Sequence, residues 1–375
     1  MKLEAGLAVS LAFTGLAFAQ PTIAPLPETT LLSGSPLHVS LDGSDPSGTP
    51  LRYSVTTSDP ALVEARILEG NRSLRIAVAN FGTMLFELFD QRVPRVTNRI
   101  AELANSGFYD GVVFHRVIDG FVIQGGDPTG TGSGGSSLEA FADQFHVELQ
   151  HNRTGLLSMA KAGDDTNDSQ FFVTEGAQRH LDFNHSIFGV LVEGEDVRER
   201  ISSVAVDSSD RPIEAVVMQQ VRTTIDEENA VLMLKAPEGS TGAVDVTVTV
   251  VNDRRQESRV TFRINVIADT INSPPFLADI PELSTAVDTP VTYQLQAIDV
   301  EGDPANFLDQ VGLNVNGLPI PVVAHPDLRY QVDFDTGLLT VTPTAGLSGR
   351  QFFTVATAVS VQAVDYQVVP VVIEP

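Results

Sequence analysis

Gly107-Phe108-Tyr109-Asp110-Gly111-Val112-Val113-Phe114-His115-Arg116-Val117-Ile118, continuing as Gly120-Phe121-Val122-Ile123-Gln124-Gly125-Gly126-Asp127-Pro128, decides how this 375-residue chain reads. Short apolar runs between glycines predict strands and glycine loops. Upstream, Leu74-Arg75-Ile76-Ala77-Val78 and Met84-Leu85-Phe86-Glu87-Leu88 read as two strands joined through Gly82. Pro94 then opens a helix, a position where its missing N–H costs nothing. Val96, Ile100 and Leu103 form the apolar stripe of that helix, and Gly107 ends it. Downstream, Leu157-Ser158-Met159-Ala160 leads to Ser169-Gln170-Phe171-Phe172-Val173, then to His180-Leu181-Asp182 with His185, Phe188 and Gly189. A second short helix is predicted from Glu195 to Ser203, with Val197 and Ile201 facing inward.

These blocks, in this order and spacing and with Gly130, Gly132, Gly134 and Gly135 between them, resemble the cyclophilin family of peptidyl-prolyl isomerases. The resemblance covers about 150 residues, a domain-sized span. It implies a closed eight-stranded antiparallel barrel with two capping helices and a groove on its outer face. The chemistry implied is amide rotation. An X–Pro bond has cis and trans forms of similar energy, separated by a barrier of about 18–20 kcal/mol. Twisting it makes the proline nitrogen basic. A catalyst therefore needs an apolar seat for the ring, a donor for the nitrogen lone pair and contacts favouring the twisted state. It needs no nucleophile, metal or cofactor.

The resemblance assigns Arg116, a permanently charged donor fork, to the rotating amide, with Gln124, Phe121 and His185 completing the catalytic set. Val122, Phe172, Leu181 and His180 correspond to the proline pocket and its rim, and Ala160, Lys161 and Gln170 to the subsite for the preceding residue and backbone. Neighbours on a strand point to opposite faces, so one of Phe171 and Phe172 is core and the other can line a groove. Two positions depart from the family. His180 stands where many members carry a tryptophan that helps bind cyclosporin, and Lys161 stands where asparagine is common.

The flanks are β-rich. Pro27-Glu28, Pro36, Leu41, Asp45, Gly48 and Pro50 recur 254 positions later as Pro281-Glu282, Pro290, Leu295, Asp299, Gly302 and Pro304, which marks two copies of one β domain. The second copy runs to Pro375 without interruption. The first stops near Asn71, too short for a sandwich of about 100 residues. The alternating segments between Ala230 and Ile267 supply its missing strands, so the isomerase domain is expected inside a loop of the first copy. The expectation is thus mainly β: residues 21–71 plus 226–268 as one immunoglobulin-like sandwich, 72–225 as the barrel, and 275–375 as a second sandwich.

Residues 1–19 read as a secretory signal: Lys2, an apolar run from Ala5 to Phe18, and a small-x-small site at Ala17-Phe18-Ala19. The expected location is outside the cytoplasm, in the periplasm, at the cell surface or secreted. A net charge of −25 opposes binding to nucleic acid or anionic membranes. The absence of cysteine excludes disulfides and thiolate chemistry. Acidic turns at Asp42, Asp45, Asp299, Glu301 and Asp303 read as solvated loops, with calcium ligation the alternative. Gly130-x-Gly132-x-x-Gly135 fits a dinucleotide fingerprint only by letters, because it opens no helix in a βαβ unit. The expected partners are proline-containing peptides and unfolded proteins. The competing reading is a proline-peptide binding or adhesion protein with little turnover.

Overall fold

The computed structural model describes residues 20–309, 311–313, 319–321, 328–360 and 363–375. The signal reading of residues 1–19 lies outside them.

The central sheet runs Arg116–Ile118, Val122–Gly125, Phe171–Thr174, Leu156–Met159, Ile187–Glu193, Gly82–Leu88, Ser73–Val78, Val216–Thr224 and Val113–Phe114, antiparallel throughout. Its first and last members flank His115, whose N–H donates to the Gln124 carbonyl at 3.0 Å. They are halves of one broken strand, so the ring closes as an eight-stranded barrel. Phe86, Tyr109, Phe114, Phe171 and Phe188 fill the interior. Helix α1, Pro94–Ser106, buries Val96, Ile100 and Leu103 against the barrel, and Gly107 closes it at φ 82°. Helix α2, Glu195–Ser202, buries Val197 and Ile201.

Before and after the barrel lie two β units built to one plan. In the first, a sheet of Leu37–Leu41, Ala230–Lys235 and Glu64–Leu68 faces a sheet of Thr29–Ser33, Glu257–Ala268, Gly242–Asn252 and Leu51–Thr57. In the second, Val291–Gln294, Leu338–Pro343 and Leu328–Val332 face Leu283–Ala286, Ala363–Glu374, Gly349–Ser360 and Asn306–Asp309. Both open with a two-residue pairing, Thr22–Ile23 with Gly43–Ser44 and Phe276–Leu277 with Ala297–Ile298, again 254 positions apart. Each has its own apolar core; that of the first holds Val248, with Val39 packed against it.

The two units differ at one turn. Leu328–Val332 passes to Leu338–Pro343 through residues 333–337, whereas the equivalent strands Glu64–Leu68 and Ala230–Lys235 are separated by the whole barrel. Strand Ala230–Lys235 is buried on both faces. Leu232 and Leu234 point into the first unit's core, while Val231 and Met233 join the barrel cluster. Period-two alternation thus splits one strand between two cores. Among the described residues no helix is long and apolar enough to cross a membrane.

Candidate functional site

The barrel strands bring the sequence-predicted residues to one face. Arg116 and Gln124 are register partners on adjacent strands, and Gln124 is in turn opposite Phe172. Phe171 goes inward, in edge contact with Tyr109, Phe114 and Phe188. Phe172 goes outward, forming a separate apolar cluster with Val122 and Leu181, on which Phe121 and Ala160 pack. The barrel core and the groove floor are therefore two faces of one strand pair.

Around this cluster lies a cavity of about 190 Å³ lined by Arg116, Phe121, Val122, Gln124, Ala160, Lys161, Phe172, Leu181 and His185. The size suits a single proline ring and its amide. The Arg116 guanidinium sits over the Phe121 ring at 5.9 Å, and its Nε is 3.8 Å from the Asp210 carboxylate. His180 stacks on Phe121 with ring centres 5.8 Å apart. His185 stands edge-on to Phe172 at 5.6 Å and donates from Nδ1 to the Met159 carbonyl at 2.9 Å. Burial pushes the His185 imidazole down to about 4, so the ring is neutral and its bare Nε2 can only accept.

A second cavity, about 350 Å³, adjoins the first and shares Gln124, Ala160 and Lys161 with it. Gln124 donates to Gln170 Oε1 at 3.1 Å, and Gln170 donates to the carbonyls of Gly132 and Gly134 at 3.1 and 2.8 Å. The glycine loop is organised around buried Asp127, which accepts the N–H groups of Thr129, Thr131, Gly132 and Gly134 at 2.7–3.1 Å. Burial would raise this carboxyl, but the donors, Gly134 first, hold it well below the usual range. A side chain at Gly134 would put its Cβ 2.2 Å from Asp127 Oδ1, so only glycine admits this wrapping. Gly126, at φ 91°, would place a Cβ 2.4 Å from the Ser169 carbonyl.

The structure changes the reading of Lys161. The residue lines both cavities, but its ammonium is turned from the groove and bound by Asp143 and, at 2.6 Å, by Asp164. A buried ammonium requires such partners, so Lys161 offers the groove no charge.

Sequence reasoning misses His151. This fully buried ring stacks behind Phe172 at 6.1 Å. Burial lowers its pKa against the opposing pull of Asp182. Neutral His151 donates from Nδ1 to Asp182 at 3.2 Å and accepts from Ser158 Oγ at Nε2, at 3.0 Å. These bonds fix the wall on which Phe172 rests. Nothing in the spacing of residues 151, 158 and 182 announces the triad, because three separate segments contribute it.

The profile of the family described as cyclophilin type peptidyl-prolyl cis-trans isomerase/CLD matches residues 73–223. The chain is 50% identical over 137 residues to the peptidyl-prolyl cis-trans isomerase ppi1 of Schizosaccharomyces pombe, covering 36% of this chain and 88% of that protein. It is 44% identical over 151 residues to peptidyl-prolyl cis-trans isomerase-like 2 of Rhizopus delemar, covering 40% of this chain and only 28% of that longer protein. Among solved structures, a Cryptosporidium parvum cyclophilin type peptidyl-prolyl cis-trans isomerase aligns at 36% identity with a TM-score of 0.41, over 42% of this chain and 99% of that one. With 88% of the Schizosaccharomyces pombe isomerase matched at half of the aligned positions, the chain belongs to the cyclophilin-type peptidyl-prolyl cis-trans isomerases.

Proposed function

We propose that this protein is an exported peptidyl-prolyl isomerase that accelerates X–Pro rotation in unfolded or extended proteins outside the cytoplasm. The observation that carries the reading is the convergence of Arg116, Gln124, Phe121, Phe172 and His185 on one cavity of about 190 Å³.

In this reading the proline ring enters the seat of Val122, Phe172 and Leu181, which excludes water from the amide. Gln124, steadied by Gln170, holds a substrate carbonyl. Arg116 donates to the proline nitrogen as resonance is lost, so its contribution is larger in the twisted state than in either planar one. Neutral His185 closes the rim without adding charge. No bond is made or broken, and no proton need move.

The same reading takes residues 72–225 as inserted into an immunoglobulin-like sandwich of residues 21–71 and 226–268, with a second sandwich at 275–375. The register of Glu64–Leu68 against Ala230–Lys235 supports the insertion. The apolar segment before Gln20 supports export. The test is a protease-coupled proline-peptide assay on the full chain. Acceleration well above the uncatalysed rate is expected. Peptide binding without acceleration would replace this reading with that of a proline-peptide binding protein.

A further inference from the structure

The segment that forms one wall of the second cavity has its opposite side against the C-terminal β unit. Ala160, Lys161, Ala162 and Thr166 line the cavity. Between them, Asp164 and Asp165 turn outward. Asp164 accepts the backbone N–H of Tyr366 at 3.1 Å, and Asp165 accepts that of Val368 at 3.4 Å. Tyr366 and Val368 are two apart on strand Ala363–Glu374, so their N–H groups point the same way. The two carboxylates thus act as the neighbour that this stretch of strand lacks on that side.

The attachment is reinforced around its rim. Phe276 of the C-terminal unit stacks on Phe183 at 4.8 Å and meets Phe145 edge-on at 5.6 Å. Arg95 pairs with Asp279 at 3.0 Å. Inside, Asp164 shares the Lys161 ammonium with Asp143, and Asp143 also accepts the Asp165 N–H at 3.1 Å. A continuous chain of contacts therefore runs from the strand through Asp164 to Lys161, whose residue borders both cavities.

We propose that Asp164 and Asp165 are positioning residues for the substrate: they tie the loop of residues 161–166 to the C-terminal β unit, whose docking fixes the second cavity and hence the affinity for the residue preceding proline. The proposal rests on the isomerase reading of the groove. It gives the C-terminal unit a role in substrate selection.

The test uses the full chain with Asp164→Ala, Asp165→Ala and, from the other side of the contact, Phe276→Ala, which touches neither cavity. The probes are tetrapeptide anilides Ala-Ala-Pro-Phe and Ala-Leu-Pro-Phe. Expected is a rise in KM of about two- to thirtyfold, different for the two peptides, with kcat changed less than about twofold. Asp164→Asn, which keeps an acceptor oxygen for Tyr366 N–H, should recover most of the loss. Peptide affinity from amide shifts of Thr166 and Ala162 provides a second readout that does not need turnover. Unchanged affinity and KM in variants whose melting curves show a folded C-terminal unit would overturn the proposal. Absence of catalysis in the unaltered chain would instead overturn the isomerase reading, and the affinity measurement would still decide this one.

Discussion

Replacing Arg116 by alanine separates catalysis from folding, because the residue carries little of the stability. Its side chain is 39% exposed, and its nearest carboxylate, Asp210, is 45% exposed at 3.8 Å. An exposed, loosely paired charge of this kind contributes roughly 0–1 kcal/mol, so the urea midpoint should barely move. Activity should respond differently. In the proposed mechanism Arg116 is the charged donor to the rotating amide, and losing one such donor costs about 10²–10³ in rate, roughly 3–4 kcal/mol. Arg116→Lys keeps the charge but not the planar fork, and should fall between the two. The assay is protease-coupled isomerisation at subsaturating peptide, with urea unfolding run on the same preparations. If Arg116→Ala retained kcat/KM within threefold of the parent, the donor role would be wrong. A loss matched by unfolding would also refute the reasoning, because it would make Arg116 structural.

Glu87 is buried beside Ser73, which donates to it at 3.0 Å; burial first, then Asp226 and Asp90, push its carboxyl up to about 8. The folded state therefore holds a proton that the unfolded chain has lost above its ordinary value, and stability declines as pH rises toward 8. Glu87→Gln should raise the urea midpoint at pH 8, with an upper bound of about 4 kcal/mol, and leave it unchanged at pH 4. Because burial holds His185 neutral down to about 4, this residue should add no inflection to kcat/KM between pH 8 and about pH 5; an inflection near 6.5 that His185→Phe abolishes would contradict this. His180→Trp should strengthen cyclosporin inhibition about tenfold or more by adding apolar area and an indole donor, with isomerase activity little changed. Replacing residues 69–229 by a turn like residues 333–337 should leave a folded β unit, visible as a cooperative melt; a chain that stays unfolded would argue against insertion.

Much of the fold and of the groove is legible in the order of the residues. The outward Phe172 and inward Phe171 follow from strand alternation, and the groove residues follow from a motif dense enough to fix their order. The shared plan of the two β units is visible in the 254-residue repeat, because turn prolines and aspartates hold fixed places in it. Less legible are contacts joining distant segments. The orientation of Lys161 depends on Asp143, which lies in a loop eighteen positions upstream. His151, Ser158 and Asp182 meet only through the barrel. Residues 230–234 of strand Ala230–Lys235 read as an unbroken apolar run, and nothing in that run says that its two faces belong to different cores.

The proposed insertion of the barrel at a hairpin turn also imposes an order of birth. On the ribosome, Leu37–Leu41 and Glu64–Leu68 emerge first, yet the strand that belongs between them arrives only after residues 69–229. At about 5–20 residues per second this is a delay on the order of 10–30 s, long enough for the barrel to complete itself. The flanking unit must then close around a finished enzyme. Until it does, the strands on either side of the gap present unpaired edges to every other nascent chain nearby.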